Sequence, residues 1–161
     1  ILTIKSQAAL GCGGTCFTPS RSLSKNTSLS HKKNVGTCSG YSPSYYLPAN
    51  PKTSFCSIFA DPQNKYKTKK CLNKSCSSYQ LVSMTFADVL KKGPSDPAYY
   101  VVGAYLNIQK NLVAPQALTG PQLVTMWNDC AKYGKHEVMA NVYWNIGQVN
   151  SYLCNSNITA D

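Results

Sequence analysis

From residue 83 onward, apolar positions recur at helical spacing, and each stripe follows a start signal. Thr85-x-x-Asp88 is a capping-box pattern, and Phe86, Val89 and Leu90 follow it. That stripe ends at Lys91 and Lys92, favourable at a helix carboxyl end, and then at Gly93-Pro94. Ser95 or Asp96 caps a second helix with Pro97 in its first turn. Its stripe is Val101, Ala104, Tyr105, Ile108 and Leu112. Val102 and Leu106 widen the apolar face, which predicts a central place in the core. Thr119-x-x-Gln122 opens a third helix with Leu123, Met126, Trp127 and Cys130 as its stripe and Gly134 as its carboxyl cap. Asn145-x-x-Gln148 opens a fourth, carrying Ile146, Val149, Tyr152 and Leu153.

Residues 1–80 show no long period and are rich in Ser, Thr, Asn, Gly and Pro. Short strands, turns and loops are expected there. Ile1–Lys5 alternates weakly and reads as an edge strand. Gly11-Cys12-Gly13-Gly14 reads as a flexible joint, Thr18–Lys33 as an exposed polar loop, and Phe55–Phe59 as a short apolar stretch that reaches the core. The expected fold is α+β: a disulfide-rich, irregular, short-strand amino-terminal half packed on a four-helix carboxyl-terminal half. Residues 1–161 are expected as a single domain, with 1–15 an extended arm and 83–154 the helical core. No apolar run approaches the roughly 18–20 residues of a membrane span.

Eight cysteines add covalent bracing to this picture. An even count fits a disulfide framework, and such frameworks persist outside reducing compartments. A start at Ile1 fits removal of a leader, so a secreted or cell-surface location is expected. Cys12, Cys16, Cys38, Cys56, Cys71, Cys76, Cys130 and Cys154 are all expected to be bonded, and sequence does not choose among the pairings. A Cys130–Cys154 bond would tie the last two helices, although a tight antiparallel hairpin would hold those ends apart. Cys12 and Cys16, near the amino end, are also candidates for bonds between subunits. The close pairs Cys12-x3-Cys16 and Cys71-x4-Cys76 lack a neighbouring histidine and the usual zinc spacing, so no metal is expected.

The net charge is +10, nearly all of it lysine, with Arg21 the single arginine. Specific phosphate recognition favours arginine forks, so this balance points to a solubilising coat or a loose match to anionic polymers. The densest stretch holds Lys65, Lys67, Lys69 and Lys70, with Lys74 beyond. It reads as a solvated loop, or as a contact for an anionic polysaccharide or nucleic acid. Tyr41, Tyr45 and Tyr46 are candidates for core packing, a subunit contact or a glycan-stacking platform.

Groups suited to catalysis are scarce: two histidines and six carboxylates. His31 adjoins Lys32 and Lys33, and His136-Glu137 is the best acid-base candidate, read chiefly as an exposed connector. Asp88 and Asp96 are accounted for as helix-start residues. No phosphate-cradling glycine motif leads into Lys-Ser/Thr. Neither an enzyme nor a cofactor is expected. Asn26, Asn73 and Asn157 each begin a match to the N-glycosylation acceptor.

Gly40-Tyr41-x-x-x-Tyr45-Tyr46 is followed by Pro48, then by Phe55–Phe59, Thr85–Leu90 and Gly103-Ala104-Tyr105-Leu106-Asn107. Leu118-Thr119, Met126-Trp127 and Trp144 to Leu153 complete the series. This order resembles an uncharacterised module of secreted bacterial surface proteins, in which a Gly-Tyr-Trp type turn precedes a helix with an Ala-x-x-Leu-Asn type ending. The likeness covers about residues 38–154. The chain departs from it at Tyr46, where the module often has tryptophan, and in its cysteine load. The resemblance implies an extracellular bacterial protein and brings no activity or catalytic residue. Asn107 is expected to hold a neighbouring loop, and Gly103 to let another element approach closely.

The expected function is therefore a structural subunit of an extracellular filament or surface assembly. It would self-associate through Ile1, Leu2, Thr3 and Ile4 of the arm and through tyrosine-rich surfaces, as a homo-oligomer or homopolymer. The alternative is a secreted binding module for an anionic polymer or glycan.

Overall fold

A computed structural model describes residues 14–23 and 35–160 of the chain. In chain order the elements are β1 (Gly14–Phe17), α1 (Pro19–Ser22), β2 (Val35–Cys38), a 3-10 turn (Pro43–Tyr46), α2 (Phe55–Ile58), β3 (Lys67–Cys71) and β4 (Tyr79–Ser83). There follow α3 (Phe86–Lys91), α4 (Pro97–Gln109), α5 (Gly120–Tyr133), β5 (His136–Met139), β6 (Val142–Trp144) and α6 (Ile146–Asn155). The fold is α+β. Its described strands form three separate antiparallel pairs, β1–β2, β3–β4 and β5–β6.

The helix starts sit where the sequence puts them. Thr85 with Asp88, Thr119 with Gln122, and Asn145 with Gln148 each form a reciprocal capping box. Asp96 accepts from Ala98 N in front of α4. Gly134 closes α5 in the left-handed region at φ 79°. Helix α4 is central: it packs against α3, α5, α6 and the 3-10 turn. Ala98, Val101, Val102 and Ala104 are wholly buried along it.

An aromatic cluster fills the space beside α4. The single turn of α2 delivers Phe55, and Phe59 follows it into the core as expected. The Phe55 ring lies 4.6 Å from that of Tyr66 and 5.6 Å from that of Trp127, and Phe59 lies 6.2 Å from Phe86. Offset and edge-on aromatic pairs of this kind stabilise beyond their area. Trp127 Nε1 donates to Ala60 O at 2.8 Å, so the buried indole is satisfied.

Asn107 joins the two halves. Its side chain accepts from Tyr41 N at 3.2 Å and from the Tyr46 hydroxyl at 2.5 Å, and it donates to the carbonyls of Tyr41 and Ile158, both at 2.9 Å. Two glycines make the approach feasible. A Cβ on Gly40 would lie 2.0 Å from Ile158 O, and one on Gly103 would lie 2.5 Å from Pro43 Cγ.

Among the described residues the cysteine framework is smaller than expected. Cys16–Cys38 ties β1 to β2 and is fully buried, and Cys71–Cys76 closes the tip of the β3–β4 hairpin. Cys56 and Cys130 are thiols, so the expectation that every cysteine is bonded fails at these two. The Cys130–Cys154 bond does not form, because the two sulfurs face different neighbours. Cys130 Sγ lies 3.6 Å from Trp144 O, and Cys154 Sγ lies 3.6 Å from Thr159 Oγ1. Cys16, offered for bonds between subunits, is bonded within the chain. Cys12, Ile1–Ile4 and His31 lie outside the described residues.

Two hairpins stand where loops were expected. Lys67–Ser83 forms β3–β4, and the connection after α5 forms β5–β6 around Asn141, at φ 64°. The polar stretch from Thr18 begins with the short helix α1.

Candidate docking surface

The β3–β4 hairpin is anchored at its root and bare beyond it. At the root, Asp61 accepts from Lys65 N and Tyr66 N at 2.8 and 3.0 Å and pairs with Lys67 Nζ at 3.1 Å. The Tyr66 hydroxyl donates to Asp96 at 2.8 Å; burial, first, and the Asp96 bond hold that phenol far above its ordinary range. Ser83 Oγ accepts from Cys56 N at 2.9 Å, and Met84 N donates to Tyr66 O at 2.8 Å. From Thr68 to Val82 every residue is exposed.

The register makes the two edges chemically different. Lys69 faces Leu81, Lys70 faces Gln80, and Cys71 faces Tyr79. Successive side chains alternate faces, so Lys69 and Lys70 project from opposite sides of β3. Strand β3 is the basic edge. Strand β4 is the apolar edge, with Tyr79 at 49 %, Leu81 at 45 % and Val82 at 37 % exposure. Lys69 Nζ sits 4.4 Å above the Tyr79 ring. At the tip, Asn73 Nδ2 donates to Ser77 Oγ at 2.8 Å and its Oδ1 accepts from Ser77 N at 3.1 Å, which shapes the loop closed by the disulfide. Among the described residues no third strand pairs with this hairpin.

The candidate contact residues divide among separate places. Lys65 is exposed at the foot of β3, Lys67 is drawn back by Asp61, Lys69 is exposed over the Tyr79 ring, and Lys70 is exposed on the strand. Tyr46 is buried and spent on Asn107, and burial holds its hydroxyl well above the usual tyrosine range, so it is no part of an exposed platform. Tyr41 and Tyr45 remain, stacked 3.8 Å apart, with Lys110 Nζ about 6 Å from both rings. The closeness of Tyr45 raises the pKa of Tyr41. The tyrosine pair lies at the carboxyl end of α4 and the hairpin root at its amino end, about 20 Å apart at helical rise.

His136 does not work with Glu137. Strand alternation sends the two side chains to opposite faces. His136 Nδ1 lies 2.7 Å from Asp129 Oδ2 on α5, while Glu137 accepts from Asn141 N at 3.4 Å. The imidazole borders a groove of about 460 Å³ together with Ser20, Gln122 and Thr125. A second cavity, of about 150 Å³, has Trp127, Tyr66 and Cys130 in its wall. Burial, aided by Asp129, pushes the Cys130 thiol up to about 11, which keeps it protonated and unreactive at neutral pH. Among the described residues no group of three His, Cys, Asp or Glu side chains is placed to hold a metal ion, and no helix is long and apolar enough to cross a membrane.

Sequence reasoning missed Leu72, Tyr79, Leu81 and Val82 as surface groups, and Asp129 as the partner of His136. The available signal was the short run Tyr79–Val82, too brief to separate a strand from a loop. No protein-family model, no curated protein and no solved structure matches this chain.

Proposed function

We propose that the protein is a structural subunit of an extracellular surface assembly that works by contact and performs no catalysis. The β3–β4 hairpin carries this reading. A two-stranded hairpin is marginal in water by itself, yet here a disulfide braces one whose strands meet solvent on both faces. A braced, projecting, open-edged ribbon is suited to being covered by a neighbour. Two disulfides support an extracellular setting. The order of short motifs around Gly40, Gly103 and Asn107 supports kinship with the bacterial surface module, because all three build one structural joint. Subunits would meet through Ile1–Ile4 and through the Tyr41–Tyr45 pair.

Sedimentation velocity and electron microscopy of oxidised protein over a wide concentration range test the reading. Larger species are expected, and fewer of them after deletion of Ile1–Ile4 or substitution of Tyr45 by Ser. A strictly monodisperse monomer at high concentration overturns it.

A second reading, a binding module for an anionic polymer, is favoured by one observation. From Pro62 to Ala87 the chain has five lysines and no carboxylate. Retention on a heparin column that falls with salt supports it, and passage through at low salt removes it.

A further inference from the structure

We propose that the outer edge of β3 receives an extended, acidic segment of another polypeptide, which adds to the hairpin as a third strand. The inference rests on the reading of the hairpin as a ribbon that a neighbour covers, whether or not the chain also self-assembles, and it names that neighbour's chemistry. Each part of the edge narrows the class. An outer strand edge presents unpaired N–H and C=O groups in alternation, and an extended peptide satisfies them as a ladder. A polysaccharide or nucleic acid has no such ladder and would use the lysines only.

Charge then selects among peptides. Lys69 and Lys70 point to opposite faces, so a strand laid beside them meets positive charge on both of its own faces. Strand β3 contains no carboxylate, and the exposed stretch Thr68–Val82 contains none either. Carboxylates facing the lysines on both sides of the new strand complete the surface. A second copy of the same edge is a poor occupant, because antiparallel pairing of β3 with β3 sets lysines against lysines in a chain already at +10. Apolar Tyr79 and Leu81 lie on β4, two strand spacings from the added strand, so the contact is made with β3 itself.

The probe is a blocked peptide, Thr-Val-Glu-Glu-Val-Glu-Thr, titrated into the oxidised full chain at low salt, with amide hydrogen exchange read in parallel. Saturable binding is expected, with slowed exchange at alternate β3 amides and affinity that falls as salt rises. Exchanging Lys69→Glu with Lys70→Glu should weaken it at least tenfold. Lys91→Glu with Lys92→Glu, the same change in net charge at the end of α3, should alter it less than twofold. The same peptide with N-methylated alternate amides keeps its charge and should lose binding. Equal binding of the methylated peptide overturns strand addition in favour of charge alone. Protection confined to β4, equal loss from both lysine double exchanges, or no binding at low salt also overturns it. A monomer that binds the peptide refutes the assembly reading and leaves this inference standing. An assembly that ignores the peptide refutes this inference only.

Discussion

Asn107 shows how one polar side chain organises a joint between halves of the chain. It is fully buried and makes four hydrogen bonds, two accepted and two donated. A buried amide so satisfied stabilises modestly, but its removal strands several partners without water. Asn107→Ala should therefore lower unfolding free energy by roughly 3 kcal/mol, read as a shift in the urea midpoint at unchanged slope. A shift worth less than about 1 kcal/mol would show that the joint is held by the surrounding apolar contacts instead. Cys130 gives a second prediction at this scale. Its folded pKa is raised from 9.0 to about 11, chiefly by burial. The thiolate is then about a hundredfold scarcer at pH 8 than for an ordinary thiol, and alkylation should slow by a similar factor. The unfolded chain loses this proton first as pH rises. The stability from keeping Cys130 neutral is thus full below pH 9 and is lost as pH climbs towards 11. Rapid labelling of Cys130 in native protein at pH 8 would contradict this.

At the scale of elements, the helices were legible because their ends are written in local chemistry. Thr85 with Asp88, Thr119 with Gln122, and Asn145 with Gln148 each satisfy their own helix start, and no distant residue is needed to complete the signal. The β3–β4 hairpin was not legible for the opposite reason. Lysines are poor strand formers, and Lys67–Lys70 takes its extended form from Tyr79–Ser83 across the ladder and from the Cys71–Cys76 closure. The candidate lysines were in the sequence, but their arrangement on one edge needed the register. His136 makes the same point: its neighbour in sequence, Glu137, faces away, while Asp129 reaches it from α5. Because the hairpin touches solvent all along its length, its bracing should matter locally. Replacing Cys71 and Cys76 by Ser removes closure entropy worth about 2 kcal/mol for so short a loop. Amide protection between Lys67 and Ser83 is expected to collapse while the global thermal midpoint moves by less than about 2 °C. A large drop in the midpoint would mean that the hairpin folds with the core.

At the scale of the whole molecule, the amino-terminal strands are tied to the helices by hydrogen bonds and a shared core. Ser39 N donates to Leu112 O at 2.9 Å and Gly40 N to Asn157 O at 3.0 Å. The Tyr152 hydroxyl on α6 donates to Phe17 O at 2.5 Å, which pins β1 to the last helix. Cys16 and Cys38 are buried within the same core cluster as Val102, Leu123 and Leu153. Their bond spans 22 residues, so its loss frees more chain in the unfolded state than the tip disulfide does. Exchanging Cys16 and Cys38 for Ala should cost about 3 kcal/mol, lower the global midpoint by several degrees, and leave one transition. The contrast between the two disulfides is the test. If β1–β2 were a separate appendage, its amides would lose protection while α4 and α6 kept theirs. Coupled loss in β1, β2, α4 and α6 is the expected result, since Tyr152 and Asn107 carry the disturbance from the strands into the helices that flank them.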